Sequence, residues 1–471
     1  MASALIAPFD PARPLRVLIG TMENGENLSN FAEGLKQLGH TVTKVFQFAE
    51  SQHGRRIVPD HLLRDVLAGT TYGIPAEDPD TIFWNPGPRI QEMIDGHDLF
   101  IFQSGKTLLP GNDDLPVIRN AGKRIVSVFT GTDVRHWSAA EPQYSSWGRR
   151  YWPAHTEKWD QPHPTKSQMV LDQYFYNNWS VANKIYTLRM AELYSDVILS
   201  VPEQAGLAIR PYFHFHVPID ANRFTAAVPD REVPIVVHAP SHRIRKGSDF
   251  IQYAVNLLNF QGVKAEYRQF EGLDNAVVAQ ELSNADIAVD QIFAMMHGGF
   301  ALEAMAAGCA VLASNVPEFM PGPEERPILD VHPGNLHTQL RRLIEDRALR
   351  RRLGEEARRH VERHHTPVAA ARHLLNALAR AEADDFDYWP SFFLQHYRLP
   401  RSEVLPPHVL GLNLEVIRSG RVPRGTHPTL LRERGLIPDA PLDPFERSRF
   451  LQRTDPAIGP YGLRFDPIDF P

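Results

Sequence analysis

Residues 16–45 read RVLIGTMENGENLSNFAEGLKQLGHTVTKV and contain one complete unit of a parallel α/β fold. The apolar run Arg16–Gly20 predicts a buried strand, and Thr41–Val45 predicts a second one. Between them, apolar residues recur at helical spacing from Leu28 to Leu38, and a glycine follows. Strand, helix and strand in this order form a βαβ unit, which predicts a parallel sheet covered by helices.

The same alternation continues along the chain. In the first half it predicts strands at 98–102, 124–129 and 197–201 and helices at 115–121 and 183–194. A second series predicts strands at 233–238, 265–270, 286–290 and 310–313 and helices at 249–260, 277–285 and 299–307. We therefore expect an α/β protein with two Rossmann-like domains, whose ligands bind beyond the carboxyl ends of the strands.

This pattern divides the chain into four parts. They are an N-terminal tail (1–14), a first Rossmann-like domain (15–205, with an insertion at about 137–175), a second one (206–383) and a C-terminal extension (384–471). Thirteen of the 39 prolines lie between Pro390 and Pro471. Because the extension also holds aromatic residues, we expect an extended tail that packs over the body of the protein.

Composition excludes several classes of protein. Fifty Lys and Arg against 56 Asp and Glu give a net charge of −6, so the chain lacks the basic character of a nucleic-acid binder. The single cysteine, Cys309, cannot form an intramolecular disulfide or a cysteine zinc cluster, and we expect it to be a small buried residue. Residues 1–14 lack the features of a signal peptide, and the chain has no apolar run of about 18 residues. We expect a cytoplasmic protein.

The first candidate for a ligand site is residues 294–308, which read AMMHGGFALEAMAAG. A Gly-Gly turn leads into a helix, and the second turn of that helix carries Glu303. Free backbone N–H groups at a helix start favour a phosphate or an oxygen-rich sugar. Glu303 can accept hydrogen bonds from a ribose diol, although a surface glutamate on a packed helix is an equally good interpretation.

The second candidate is the loop at 238–249, which follows the first strand of the second domain and reads HAPSHRIRKGSD. It carries three cations, Arg243, Arg245 and Lys246, and Gly247-Ser248 adds backbone donors. Guanidinium, ammonium and N–H groups together suit a diphosphate. A solvated run of charges is the alternative interpretation.

These motifs resemble the GT-B fold glycosyltransferases, in particular the large retaining family that includes sucrose, glycogen and lipid-linked-sugar synthases. The resemblance in the second half rests on Lys246-Gly247 and on Gly298 with Glu303-Ala-Met-Ala-x-Gly308. In the first half it rests on Gly39-His40-x-Val42 and, for a bacterial subgroup, on Ser104, Leu109-Pro110 and Gly131-Thr-Asp133. It covers roughly Leu15 to Val368.

The resemblance implies a hexosyltransferase whose two domains face a cleft. It assigns the donor diphosphate to Arg243, Lys246 and Gly247, and the donor sugar and ribose to His297, Gly298, Gly299 and Glu303. It implies a retaining, metal-independent reaction in which the leaving phosphate helps to deprotonate the acceptor. The nucleotide-diphosphate sugar is then a co-substrate, no cofactor or metal is expected, and the acceptor is unknown.

Two positions depart from the family pattern. Met295 stands where the family has a glutamate that meets the donor sugar, and Thr130 stands where many members have histidine. A thioether binds a sugar hydroxyl weakly, so His297 or Asp290 would have to take over that contact, or the activity has changed.

Loops of the first domain supply the predicted acceptor side. Asp133 is the candidate catalytic residue, and Asn27, Thr130 and Arg135 are candidate acceptor contacts. The alternative interpretation is that Asp133 caps a turn.

Two other functions stay open. Because of Met295 and Thr130, the chain could be a glycosyltransferase-like binding or scaffold subunit, and a GT-B sugar-nucleotide epimerase would share the same domains. The arginine-rich helices near residues 341–359 suggest a membrane surface, but interleaved glutamates favour solvent-facing ion pairs. The C-terminal extension is a candidate for homo-oligomer contacts.

Overall fold

In the computed structural model, the chain forms two compact units. The first contains the described residues up to Arg135, residues 181–215 and those from Arg372 onwards, and the second contains His216–Ala371. The structure describes residues 8–11, 13–49, 57–73, 83–131, 133–135, 181–226, 230–316, 327–390, 405, 407–422, 428–433, 435 and 437. The predicted insertion at 137–175 lies outside these ranges.

The first unit is built on a parallel sheet. Its strands are β1 (Arg16–Thr21), β2 (Thr41–Phe46), β3 (His61–Leu62), β6 (Leu99–Gln103), β7 (Arg124–Val128), β8 (Val197–Ser200) and β9 (Phe213–His214). They follow the order β3-β2-β1-β6-β7-β8-β9, with parallel pairing throughout. A separate antiparallel pair consists of β4 (Thr71–Gly73) and β5 (Phe83–Asn85).

Five helices in the described residues alternate with these strands along the chain. They are α1 (Asn27–Gln37), α2 (Leu63–Val66), α3 (Pro88–Gly96), α4 (Asp114–Asn120) and α5 (Val181–Tyr194). Strand β1 explains the parallel arrangement, because Val17 pairs in register with Val42 on one side and with Leu99 on the other. Val17 is fully buried, as expected for a central strand that is covered on both faces.

The second unit has its own parallel sheet. Its strands are β10 (Ile235–His238), β11 (Glu266–Gln269), β12 (Ile287–Val289), β13 (Ala310–Ala313) and β14 (Ile328–Asp330), in the order β11-β10-β12-β13-β14. Its helices are α6 (Arg243–Lys246), α7 (Ser248–Phe260), α8 (Asn275–Ser283), α9 (Gly299–Ala306), α10 (Leu336–Glu345) and α11 (Arg347–His364). Helix α12 (Pro367–Glu382) follows, and the division between the units falls within it. The predicted fold class, with two Rossmann-like α/β domains, is confirmed.

The C-terminal extension differs from the prediction. An extended tail was expected, but residues 407–418 form helix α13 (Pro407–Arg418) and residues 428–433 form helix α14 (Pro428–Glu433). Apolar side chains of this segment are buried in the core of the first unit: Leu405, Val409, Leu412, Val416, Leu431 and Ile437. The expected packing against the body is therefore present, but it is made by helices, since helical spacing lets one apolar face enter the core.

The boundaries of the two units also differ from those expected from the sequence. The second unit begins at His216 and ends at Ala371, whereas residues 206–383 were predicted. Short strand β9 accounts for the first difference, because it pairs with β8 and so keeps residues up to Phe215 with the first sheet.

None of the helices in the described ranges is long and apolar enough to cross a membrane.

Candidate functional site

Lys246 lies at the end of a short helix beyond strand β10. The loop predicted here is wrong for residues 243–246, which form the helical turn α6 before Gly247 starts helix α7. Gly247 has φ +79°, and a Cβ on it would lie 2.4 Å from Ile292 Cγ1. Glycine is therefore required both by the backbone and by the close approach of Ile292.

The Lys246 ammonium joins this turn to the loop after β12. Its Nζ lies 2.8 Å from Asp290 Oδ1 and 2.9 Å from Gln291 Oε1. The other oxygen of Asp290 accepts the Gly298 N–H at 2.6 Å. One carboxylate thus connects the predicted diphosphate lysine with the predicted start of the sugar-binding helix.

The Asp290 side chain is almost fully buried, yet it is held as a carboxylate. Burial raises the pKa of Asp290. The adjacent Lys246 ammonium and the Gly298 N–H together lower it by more than burial raises it, so the pKa lies below the usual value. The Lys246 side chain keeps 15% of its surface exposed, so a ligand can reach it. The arrangement is a polar centre at the carboxyl edge of the second sheet.

Helix α9 begins directly at this centre. A Cβ on Gly298 would lie 2.7 Å from Lys246 Nζ and 2.8 Å from Asp290 Oδ2, whereas a Cβ on Gly299 would meet nothing within 4 Å. Gly298 is therefore needed for close approach, while Gly299 exposes the first N–H groups of the helix. Glu303 lies on the second turn and is half-buried.

Met295 and His297 occupy different environments in the loop before α9. Met295 is fully buried, and its carbonyl accepts the Val316 N–H at 3.0 Å, so it is a core residue. His297 is half-buried, and its Nδ1 lies 3.3 Å from the Gly298 carbonyl oxygen. Asp290, the other residue predicted to replace the missing glutamate, is occupied by Lys246 and Gly298.

Arg243 has different partners from Lys246. Its guanidinium binds Asp249 and Glu271, each at 2.6 Å, and its side chain is 42% exposed. These two carboxylates raise the pKa of Arg243 through hydrogen bonds. Arg243 and Lys246, the two cations predicted to bind the diphosphate, therefore form ion pairs with different carboxylates.

His238 is a buried residue next to the site, and it hydrogen-bonds to the elements that carry the site residues. It is fully buried at the end of β10, with Nδ1 2.7 Å from the Val289 carbonyl oxygen and Nε2 2.8 Å from Ser248 Oγ. A carbonyl only accepts, so Nδ1 carries the proton and Nε2 accepts the Ser248 hydroxyl. Burial lowers the pKa of His238 to about 4. This neutral imidazole links β10, β12 and the start of α7.

In the first unit, polar groups meet at the carboxyl ends of three neighbouring strands. Thr130 follows β7, and its Oγ1 lies 3.4 Å from the side-chain amide nitrogens of both Asn24, after β1, and Gln103, at the end of β6. Gln103 is fully buried, and within the described part of the chain its Oε1 has no hydrogen-bond partner. The predicted residue Thr130 therefore lies at the expected edge of the sheet.

Asp133 has the geometry of a turn-capping residue. Its carboxylate accepts the N–H groups of Thr130, Gly131 and Val134 at 2.8–3.2 Å. These contacts close the loop on itself, as the alternative interpretation of Asp133 expected. Its role as a catalytic residue stays a prediction.

The other first-unit candidates are largely buried. Arg135 forms an ion pair with Glu203 at 3.5 Å, and its carbonyl accepts from Lys184 Nζ at 2.7 Å. Asn27 is the first residue of α1. Neither is brought into contact with Thr130 by a described hydrogen bond.

Glu23 is a further polar residue of the first unit, and its role was not predicted from the sequence. Its carboxylate accepts the N–H groups of Leu28 and Ser29, at 3.0 and 2.8 Å, and the Ser29 hydroxyl at 2.6 Å. It therefore caps the start of α1. Burial raises the pKa of Glu23 despite these bonds. An acid a few residues before a helix, followed by serine, is the signal that could have indicated this cap.

Cys309 is a buried core residue, as predicted. Its Sγ lies 3.4 Å from the Leu282 carbonyl oxygen, and burial raises the pKa of the thiol. In the described part of the chain, no group of three or more His, Cys, Asp or Glu side chains converges on a metal position.

Residues 260–376 match a family model described as Glycosyl transferase-like. The matched segment includes Asp290, Gly298 and Glu303. Residues 260–376 are therefore similar to glycosyl transferase-like proteins. This match agrees with the predicted glycosyltransferase family for the segment that it covers.

Three solved structures are among those that resemble this chain in fold. Sucrose-phosphate synthase from Thermosynechococcus elongatus is 14% identical, with a TM-score of 0.46, and the match covers 79% of this chain and 100% of that chain. HepE from Anabaena, in complex with UDP-glucose, is 11% identical, with a TM-score of 0.41 and coverage of 78% and 99%. An alpha-glucosyltransferase bound to UDP-glucose and DNA is 11% identical, with a TM-score of 0.46 and coverage of 78% and 100%. No curated protein sequence gives a significant match.

Proposed function

We propose that this protein transfers a hexosyl group from a nucleoside-diphosphate sugar to an acceptor, with retention of configuration. The observation that carries the proposal is the contact of Lys246 with Asp290 at the start of helix α9, within the second unit. It unites a cation, a helix N-terminus and two glycines at the carboxyl edge of a parallel sheet. That combination suits a diphosphate.

Lys246 is the central residue of this proposal. An ammonium has three N–H donors, and two of them reach Asp290 and Gln291. We assign the third donor to an oxygen of the donor diphosphate. Asp290 then acts as a positioning residue, because it fixes the ammonium and holds the Gly298 backbone in place.

Helix α9 supplies the remaining donor contacts. The first N–H groups of the helix, from Gly299 onwards, bind a phosphate or sugar oxygen, and Glu303 accepts from the ribose diol. As charge develops on the leaving diphosphate, Lys246 and the helix start stabilise it without a metal. The bond between the anomeric carbon and the diphosphate oxygen breaks, and the acceptor oxygen bonds to that carbon on the same face while the leaving phosphate takes its proton. Attack on this face gives retention.

Arg243 joins the diphosphate site only by leaving one of its carboxylates. Its surface ion pairs with Asp249 and Glu271 are solvent-exposed and therefore weak, so this exchange costs little. On the acceptor side, the polar group formed by Asn24, Gln103 and Thr130 is the candidate contact, with Asp133 holding the loop.

Calorimetric titration with UDP, GDP and ADP tests the donor site. We expect one of them to bind, and Lys246→Ala to weaken binding by about 1.5–3 kcal/mol, as for the loss of a charge-assisted hydrogen bond. Lys264→Ala is the matched control, because that lysine is exposed and donates only to the Asn259 carbonyl among the bonds described. The Lys264→Ala variant should bind the nucleotide as tightly as the wild type does.

Lys246→Ala also leaves the buried Asp290 carboxylate without its cation, which lowers stability. The double variant K246A/D290N removes that charge, so it separates loss of the ligand contact from loss of the fold. A folded double variant that binds as tightly as the wild type would remove Lys246 from the site. If none of the three nucleotides binds the wild type, the proposal fails, and a binding or scaffold subunit becomes the better interpretation. If a nucleotide binds, a screen of donor sugars by product mass identifies the donor sugar. Incubation of that nucleotide sugar without acceptor separates a transferase from an epimerase, because only an epimerase would isomerise it.

A further inference from the structure

Three arginines of the first unit lie together beside the amino end of strand β8. Arg210 donates from Nη1 to the Ser195 carbonyl at 2.6 Å, and Arg421 of the C-terminal extension donates to the same oxygen at 3.2 Å. Because both bind one oxygen, the two guanidinium groups are close neighbours. Arg119 binds the carboxylate of Asp196, the residue after Ser195, at 2.6 Å. We call Arg119, Arg210 and Arg421 the arginine cluster.

The carboxylate beside the cluster is already occupied. Apart from Arg119, Asp196 Oδ1 lies 3.5 Å from Arg124 Nη1, and Asp196 Oδ2 accepts the Ile125 N–H at 2.9 Å. In the part of the chain that the structure describes, the side chains of Arg210 and Arg421 bind only backbone carbonyl oxygens. Two neighbouring cations therefore have no carboxylate of their own among these residues.

Burial makes this shortage of negative charge costly. Arg210 is 4% exposed, and its Nε has no hydrogen-bond partner among the described residues. Such orphaned groups are uncommon in folded proteins, and a bound ion or water is a usual reason for one. Burial and the adjacent Arg421 lower the pKa of Arg210 to about 9, and burial and Arg119 lower the pKa of Arg421. The three like charges thus repel one another where water screens them poorly.

Two members of the cluster are within reach of a ligand from solvent. The Arg119 side chain keeps 21% of its surface exposed, and Arg421 is half-buried. A guanidinium has five N–H donors, and the hydrogen bonds described use one donor of each of these two side chains. The remaining donors suit the oxygens of a phosphate group, which arginine binds through two parallel hydrogen bonds.

We propose that Arg119, Arg210 and Arg421 form a binding site for a small phosphate-like oxyanion. The anion supplies the negative charge that the cluster lacks. Since Arg421 belongs to the C-terminal extension and the other two arginines to the body of the first unit, the bound anion fastens the extension to the body. An anion that binds only the folded state raises the melting temperature.

This site is separate from the residues of the proposed transfer reaction. The cluster lies before β8, whereas Gln103 and Thr130 lie at the carboxyl ends of strands that run parallel to β8. Lys246 belongs to the second unit. The arginine cluster therefore binds its anion whether or not the protein transfers a sugar.

Calorimetry and thermal unfolding of the full-length protein with sodium phosphate test this site. At constant ionic strength, we expect saturable binding and a higher melting temperature. Arg421→Gln keeps a donor for the Ser195 carbonyl but removes the charge, so it should weaken phosphate binding about tenfold or more. Arg418→Ala is the matched control, because Arg418 lies three residues earlier, is half-exposed and pairs with Glu415. It should bind phosphate as the wild type does.

Phosphate can also reach the donor site of the second unit, so K246A/D290N is titrated in parallel. It should retain the equivalent of phosphate that Arg421→Gln loses. Loss of that equivalent in K246A/D290N would assign the phosphate to the donor site and overturn the proposal. Glucose 6-phosphate is the second probe. Tighter binding than that of inorganic phosphate indicates a phosphorylated metabolite as the ligand, and weaker binding indicates the free anion.

The outcome does not depend on one variant folding. Arg119→Gln is a second variant of the cluster, and it leaves Asp196 paired with Arg124. Circular dichroism reports whether each variant is folded. Phosphate and similar salts stabilise proteins in general, so an equal rise in melting temperature for the wild type and both variants would overturn the proposal. So would the absence of saturable phosphate binding by the wild type.

Discussion

Three residues decide whether the donor site of the second unit can exist. Lys246 supplies a cation, Asp290 holds it in place, and Gly298 permits the two to meet at the start of α9. The buried carboxylate is stable only while both partners remain, because an unpaired buried charge is costly. Substitution of any one of them should therefore affect both nucleotide binding and stability.

Gly298→Ala tests the close approach. Its Cβ would lie under 3 Å from Lys246 Nζ and Asp290 Oδ2, so the ion pair must open. We expect a loss of stability of about 1–3 kcal/mol, the usual cost of overpacking, and weaker binding of the nucleotide. Gly299→Ala is the matched control, because a Cβ there meets nothing within 4 Å. Chemical denaturation and calorimetry measure both effects, and equal values for the two variants would contradict the close approach.

Because the pKa of His238 is lowered in the folded state, we expect the protein to lose stability in mild acid. Burial lowers its pKa to about 4 in the folded state, against 6.5 for the ordinary group. Between these values the unfolded chain binds a proton that the folded chain does not, so this group stabilises the fold less as the pH falls from 6.5 to 4. The full effect is roughly 3 kcal/mol.

Denaturant unfolding of wild type and His238→Gln across this pH range isolates the effect. The variant should be less stable near pH 7, because it loses the bonds to Val289 and Ser248, but its stability should fall less steeply with acid. Identical pH slopes would show that the folded and unfolded chains bind the His238 proton over the same pH range, which contradicts the lowered pKa.

At the scale of elements, helix α13 turns the C-terminal extension into part of the first unit. Val409, Leu412 and Val416 enter the core, and Asn413 lies on the same buried side. Arg189 of helix α5 donates from Nε to Asn413 Oδ1, and its Nη1 binds Glu192 at 2.7 Å. Arg189 is 1% exposed, so this guanidinium depends on protein oxygens for all its hydrogen bonding.

Asn413→Ala should destabilise the first unit. It removes an acceptor from a buried guanidinium, which costs about 1–3 kcal/mol. Arg418→Ala, at the exposed end of the same helix, is the control and should change stability by less than about 0.5 kcal/mol. Urea unfolding measures the difference. If the two variants unfold at the same urea concentration, the contact between α13 and α5 contributes nothing to stability.

At the scale of the whole molecule, the alternation of elements was predictable and the local exceptions were not. Strands such as Ala310–Ala313 are buried on both faces, so they appear in the sequence as short apolar runs. The turn Arg243–Lys246 is too short to show a helical period, and it depends on Ile292 packing against Gly247. The partner of Lys246, Asp290, lies 44 residues away, so no local spacing could indicate it.

The prediction of an extended C-terminal tail was wrong for a different reason. Its prolines favoured an extended tail, but Val409, Leu412 and Val416 follow helical spacing, which was a usable signal. The candidate site shows a similar division. The helix start at Gly298 and the cation Lys246 were predictable from local motifs, whereas the ion pairs of Arg243 and the turn cap of Asp133 required the fold.

Truncation of the chain tests whether the extension belongs to the first unit. A chain ending at residue 390 loses six buried aliphatic side chains, each worth about 1.5–3 kcal/mol, and the sum is comparable with the whole stability of a domain. A chain ending at residue 437 keeps them and is the control. We expect the shorter chain to melt at a much lower temperature or to aggregate, while the longer one melts as the full-length protein does. Because the second unit has its own core, nucleotide binding should persist in any shorter chain that stays soluble. If both truncated chains melt together and have the same mass by light scattering, α13 and α14 contribute nothing to the core, and any oligomer contacts lie elsewhere.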